Sequence, residues 1–80
     1  MHTKKIKRDK KIFTQITFIV LLNARRKDKN ITIKEIYESI GMKKSTMINK
    51  LYRPKLYFFT MDEMVLIATL LDIDLNRLKN

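Results

Sequence analysis

The chain contains no cysteine, and it has one glycine and one proline in 80 residues. Without cysteine there is no disulfide framework, no thiolate zinc site and no cysteine nucleophile, which suits a reducing compartment. A single glycine excludes a glycine-rich phosphate loop. Because few residues break helices and apolar residues recur at helical spacing, we predict one all-α domain.

Acidic residues are also scarce, and the charges are unevenly distributed. The formal net charge is +10, from 18 basic and 8 acidic residues. Residues 1–30 hold ten basic and two acidic residues, whereas residues 61–80 hold two and four. A positive field of this kind is typical of proteins that bind a polyanion: nucleic acid, an anionic membrane or an acidic protein. Codon bias toward lysine is the alternative, but it explains the uneven distribution less well.

The sequence also argues against a secreted, membrane-spanning or catalytic protein. The apolar run Ile12–Leu22 follows a basic start, as in a signal peptide, but polar residues interrupt it and no small-residue cleavage site follows. The run is shorter than the roughly 20 residues that cross a bilayer. His2 is the only histidine, and Asp72 with Asp74 does not make a metal site. We expect no enzyme activity, metal, cofactor, membrane insertion or small-molecule substrate.

Two helix starts are marked by the same pattern. Thr32 with Glu35, and Thr60 with Glu63, fit a capping box, in which the threonine oxygen accepts a free backbone N–H and the glutamate reaches back. Each pattern precedes an apolar-periodic run. We therefore predict a helix after Thr32 and another over residues 61–71.

The distribution of charge and of helix-breaking residues predicts the rest of the domain organisation. We expect residues 1–11 to form a basic arm, either ordered or disordered, and residues 12–80 to form the domain. The first helix is predicted over residues 12–27, with "RKDKN" as the loop after it. Asp74 is predicted to cap a short last helix over residues 75–79.

The only glycine lies between two predicted short helices. Gly41 stands where a helix needs a left-handed closing residue, and Pro54 ends the helix after it. Met47 and Leu51 share one face of that second helix, and Asn49 lies opposite. Two short helices joined by so tight a turn form a helix-turn-helix.

These residues carry a family resemblance. The segment "ITIKEIYESIGMKKSTMINKL" resembles the helix-turn-helix of Cro- and repressor-type phage regulators, with a Gly-Met turn followed by Ser-Thr. The likeness continues in "FTMDEMVLIATLLDIDLNRL", with Phe-Thr, an acidic pair and Ile-Ala. It implies a compact bundle of four to five helices, lambda-repressor-like, that binds double-stranded DNA with residues 44–52 in the major groove.

The resemblance also implies roles for individual residues. The base-facing residues would be Lys44, Ser45, Ile48 and Asn49. The phosphate contacts would be Lys34, Lys43, Thr46, Lys50 and Arg53. The arm residues that wrap the duplex would be Lys4, Lys5, Lys7, Arg8, Lys10 and Lys11.

The chain has more apolar side chains than one small core needs, and exposed apolar patches usually mark an interface. We therefore expect a homodimer, which would suit a palindromic operator with half-sites about one helical turn apart. The predicted dimer or partner interface consists of Phe18, Leu21, Tyr57, Phe58, Val65 and Leu66. The alternative is burial of these residues by the arm and the C-terminal tail.

The expected function is that of a sequence-specific transcriptional regulator, a repressor or activator of phage or mobile-element type, in the bacterial host cytosol. A second hypothesis is a phage-encoded protein-interaction module on the same fold, for example an anti-CRISPR inhibitor of a host nucleoprotein complex. A third is a membrane-surface peptide built on the basic first helix. Apolar residues around most of that helix argue for burial instead.

Overall fold

Two helices begin where the capping residues predict them, and the first of these ends where Gly41 predicts it. A computed structural model describes residues 2–78 and the side chains of residues 9–78. Within this range the chain forms α1 (His2–Asp28), α2 (Ile33–Ser39), α3 (Lys44–Tyr52), α4 (Met61–Leu71) and a C-terminal 3₁₀ helix (Leu75–Leu78). The part of the chain so described has no strand, and the all-α prediction is confirmed. The helices form a compact globule of 42 × 26 × 18 Å.

Both predicted capping boxes are present. The Thr32 hydroxyl accepts the Glu35 N–H at 3.1 Å, and the Glu35 carboxylate accepts the Thr32 N–H at 3.2 Å. At α4 the Thr60 hydroxyl accepts the Glu63 N–H at 3.1 Å, and Glu63 accepts the Thr60 N–H at 2.8 Å. Each box satisfies backbone donors that a helix start otherwise leaves free, so local sequence fixes where α2 and α4 begin.

Gly41 closes α2 in the left-handed region, with a φ of 72°. The Gly41 N–H donates to the Glu38 carbonyl at 3.3 Å, and the Met42 N–H donates to the Tyr37 carbonyl at 2.8 Å. This pair of bonds is the Schellman motif. A Cβ on Gly41 would meet nothing within 4 Å, so the backbone conformation alone calls for glycine here.

The N-terminus differs from the prediction. Helix α1 begins at His2 rather than at Ile12, and it continues through Asp28, so residues 2–11 belong to a helix and not to a separate arm. The physical reason is that this segment lacks glycine and proline and is rich in lysine and arginine, which are good helix formers. A helix nucleated in the packed part of α1 therefore propagates toward the N-terminus.

The C-terminal segment agrees in outline with the predicted cap and short last helix. Asp74 is confirmed as a cap, because its carboxylate accepts the Asn76 N–H at 3.0 Å. The last helix is a 3₁₀ turn over Leu75–Leu78, and Lys79 lies outside the described residues.

The core lies between α1, α4 and the α2–α3 pair. Phe18 of α1 and Phe59, in the segment before α4, meet edge to face with ring centroids 5.4 Å apart. The buried cluster around them consists of Leu22, Ile36, Met47, Leu51, Met64, Ile67 and Leu71. Edge-to-face aromatic pairs add stability beyond their buried area, so this contact fixes how α1 lies on the rest of the domain.

Gln15 is a buried polar residue beside this aromatic pair. Its amide oxygen accepts the Phe59 N–H at 2.8 Å, and its amide nitrogen donates to the Phe59 carbonyl at 3.1 Å. One side chain of α1 thus satisfies both backbone groups of a residue 44 positions away. Such pairing is what makes a buried amide tolerable in an apolar core.

We predict that Gln15→Ala destabilises the protein by at least about 2 kcal/mol, because each of two buried backbone groups left unpaired costs about 1–3 kcal/mol. Thr17→Ala is the matched control, since the Thr17 hydroxyl bonds only to its own helix, at the Phe13 carbonyl. Urea unfolding followed by circular dichroism measures both. Equal losses for the two variants would contradict the role given to Gln15.

Candidate functional site

Two buried side chains orient α3. Met47 and Leu51, four residues apart, are inside the core. At about 100° per residue, Ser45 and Asn49 lie on the opposite side of the helix. The outer face of α3 is therefore presented to solvent by a helix whose inner face is locked into the core.

The four residues expected to face bases all lie on α3, in different degrees of exposure. Lys44 and Ser45 are exposed, Ile48 is at the limit of exposure, and Asn49 is half-buried. Their common face is thus a mixed surface with an ammonium group, a hydroxyl, an amide and an aliphatic side chain. These groups can contact phosphates, base edges and a thymine methyl.

Tyr52 is a residue of this surface that the sequence analysis did not assign to it. Its side chain is 74% exposed, the highest value among the large apolar side chains that remain exposed. Tyr52 lies seven residues, about two turns, after Ser45, so it is on the same face of α3. The spacing was available in the sequence. Its exposure depends on which elements pack around α3, and only the structure shows that.

The residues expected to contact phosphates differ in their exposure and in their contacts. Lys34, Lys43 and Arg53 are exposed, and Thr46 is half-buried. Lys50 has a different contact: its ammonium group bonds the carboxylate of Glu63 and lies 5.9 Å from the centre of the Phe59 ring. It therefore ties α3 to the first turn of α4, and we leave it out of the candidate surface.

Among the ion pairs of residues 9–78, the Lys50–Glu63 pair is the most shielded from solvent, with side-chain exposures of 13% and 25%. Burial raises the pKa of Glu63, but the hydrogen bonds from Lys50 and the Thr60 N–H, together with the Lys50 charge, lower it by more. The net pKa of Glu63 is below its usual value. Glu63 therefore serves both as the α4 cap and as the ion-pair partner.

The start of α3 differs from the starts of α2 and α4. Lys43 stands at the N-cap position in an extended conformation and makes no side-chain cap hydrogen bond. The first backbone N–H groups of a helix have no partner inside it and carry a partial positive charge. At α3 these donors adjoin the exposed ammonium groups of Lys43 and Lys44. This end of the helix is suited to an anionic ligand.

The basic residues predicted as an arm lie on the first turns of α1. Lys10 is exposed, and the Lys11 ammonium group lies 4.9 Å from the centre of the Phe58 ring. The side chains of Lys4, Lys5, Lys7 and Arg8 are outside the described residues. Their role on DNA stays a prediction.

The set predicted as an interface needs correction at Phe18. That side chain is fully buried against Phe59, because it shares the inner face of α1 with Gln15 and Leu22. Leu21 is half-buried. Phe58 is also half-buried, beneath Lys11. The exposed members are Tyr57, Val65 and Leu66.

Other kinds of site find little support. Among the side chains of residues 9–78, which the structure describes, no group of three or more His, Asp or Glu is placed to hold a metal ion. Within the same range, no helix has the length and apolar character needed to traverse a bilayer.

Comparisons with protein-family models, with curated proteins and with solved structures give no match for this chain.

We predict that Glu63→Gln lowers stability at neutral pH and that the difference from wild type disappears on acidification. A carboxylate whose pKa is lowered in the folded state contributes stability above its unfolded value, about 4.3, and loses this contribution as the pH falls through the folded pKa. Urea unfolding between about pH 3 and pH 7 measures the effect.

Glu35→Gln is the matched control, because Glu35 fills the same position of the α2 capping box and bonds Thr32. It alters a cap but not the contact between α3 and α4, so we expect a smaller loss at neutral pH. If wild type and Glu63→Gln lost stability in parallel over the whole range, the assigned ion pair would be wrong.

Proposed function

We propose that this protein is a sequence-specific DNA-binding regulator in which α2, the Gly41 turn and α3 form a helix-turn-helix, with α3 as the recognition helix in the major groove. The observation that supports this most is the two-sided character of α3. Met47 and Leu51 fix the helix in the core, while Lys44, Ser45 and Tyr52 are held in solvent. A helix fits the major groove, and a rigidly supported one places its side chains reproducibly.

Charge supports the same proposal. Residues 39–61 contain five basic residues and no acidic one. Of the five, Lys50 is paired with Glu63, whereas Lys43, Lys44, Lys55 and Arg53 are exposed. Cations on one surface release counterions when they meet phosphates, and this release supplies most of the sequence-independent affinity for DNA.

The uncapped start of α3 supports a particular placement of this helix on DNA. Free backbone N–H groups at a helix N-terminus bind phosphate oxygens, and Lys43 and Lys44 lie beside them. A phosphate held there would position the helix so that Ser45 and Asn49 reach base edges. In this proposal the N-terminal end of α3 sets the register, and its outer face reads the sequence.

We predict that selection from a random duplex pool, at stated salt, enriches a palindromic sequence. Against that sequence, Ser45→Ala and Asn49→Ala should each lose affinity by about 1–3 kcal/mol if the side chain makes a good base contact. Lys43→Ala and Arg53→Ala, at two exposed residues expected to contact phosphates, should instead weaken binding to all duplexes alike and reduce the salt slope by about 1 each. Fluorescence anisotropy over a salt series distinguishes the two effects.

Arg77→Ala is the control, because it removes the same charge from the exposed C-terminal 3₁₀ helix, away from α3 in the chain. It should leave the salt slope near that of wild type. An absence of enriched sequences, or binding that ignores salt between about 50 and 200 mM, would refute the proposal.

The regulator is proposed to act as a homodimer, because a two-fold axis matches a palindromic site whose half-sites are about one turn apart. A monomer in multi-angle light scattering at roughly 100 μM would contradict this part of the proposal.

A second candidate function is a protein-interaction module on the same fold, such as an inhibitor of a host nucleoprotein complex. The observation that favours it is the solvent face of α4, where Met61, Val65, Leu66 and Leu70 remain exposed. Exposed apolar patches commonly mark protein-interaction sites. A host partner retained on the protein after nuclease treatment, and lost on Leu66→Asp, would favour this candidate over the first.

A further inference from the structure

The outer face of α1 carries an apolar stripe. Phe13, Ile16 and Val20 follow one another at helical spacing and are 57%, 42% and 61% exposed. Helix α1 meets the core through Gln15, Phe18 and Leu22, whose positions at 100° per residue lie on the opposite side. The stripe is therefore on the side of α1 that faces away from the domain.

Two opposite charges continue the same line along the helix. Asp9 precedes Ile16 by seven residues, and Lys27 follows Val20 by seven residues. Seven residues are about two turns, or about 10 Å, so both charges lie on the line of the stripe. Ala24, the smallest side chain on this line, comes one turn after Val20. Asp9, Ala24 and Lys27 are all exposed.

We propose that a second copy of this chain packs on the stripe with its α1 antiparallel to the first. In this arrangement Ile16 of each copy faces Val20 of the other, and the large Phe13 faces the small Ala24. At both ends Asp9 of one copy faces Lys27 of the other. Alternation of large and small residues and pairing of opposite charges are what a two-fold, self-complementary contact requires.

The charges also decide the orientation and the partner. A parallel pair would place Asp9 beside Asp9 and Lys27 beside Lys27, which is repulsive. An anionic membrane offers no cationic partner to Asp9, at one end of the stripe, whereas a second copy pairs both charges. The stripe is narrow, so the dimer has a small interface and a modest affinity.

This inference deepens the proposed function by naming the surface of its homodimer, and it uses none of the DNA-contacting residues. If the chain proved monomeric, the DNA proposal would still be tested by the salt-dependent binding of that monomer to a duplex. Conversely, a dimer that binds no duplex would refute the DNA proposal alone.

The test is charge reversal followed by sedimentation velocity at roughly 10–100 μM, the range expected for a small interface. Wild type should associate. Asp9→Lys alone and Lys27→Asp alone should each weaken association by about tenfold or more, since two attractive contacts become repulsive. The two single variants mixed together should associate again, because each then offers the opposite charges. The double variant should also associate.

Apolar variants complete the test. Val20→Lys should abolish association, and Val65→Lys, an equivalent change on the solvent face of α4, should leave it unchanged. Circular dichroism checks that both remain folded. The proposal is overturned if wild type is monomeric, if the mixed single variants stay apart, or if Val65→Lys rather than Val20→Lys abolishes association.

Discussion

The segment at Phe59 and Thr60 is where three helices are tied together. Gln15 of α1 satisfies both backbone groups of Phe59, and Phe18 packs edge to face on its ring. Thr60, the next residue, caps α4 through Glu63. Extended chain carries backbone groups that must be paired when buried, so without Gln15 this segment could not enter the core, and α1 and α4 would lose their common anchor.

The candidate surface depends on the same place. Glu63 accepts the Thr60 N–H and also the ammonium group of Lys50. The position of α3 is thus linked to the cap of α4 and to the Phe59 ring that Lys50 overlies. Because Lys50 is paired with Glu63, its charge is not available on the surface of α3. The same contact holds α3, which carries the exposed residues, in a fixed orientation.

What the sequence could predict was local. The two capping boxes, the left-handed Gly41 and the buried pair Met47 and Leu51 depend on residues within a few positions of each other, and they were predicted correctly. The sequence could not predict tertiary contacts, which join residues far apart in the chain. The inner face of α1 depends on a partner 44 residues away, so a helix with apolar residues on two sides gave no reason to bury Phe18 and expose Phe13. The contact of Lys50 with Glu63 could not be predicted for the same reason, since its partner lies on another helix.

The positions of the few acidic residues explain why one stretch of the chain carries only positive charges. Asp28 and Asp72 lie within 4 Å of the Arg25 guanidinium group, and most of the others are at helix starts. Carboxylates in a first turn stabilise the helix by accepting its free donors and by meeting its dipole. Six of the eight acidic residues thus lie at helix starts or near Arg25, and residues 39–61 form a continuous stretch without negative charge. The start of α3 lies within this stretch, and it has neither an acidic residue in its first turn nor a side-chain cap hydrogen bond, so the placement of the acids at other helix starts leaves the surroundings of α3 basic.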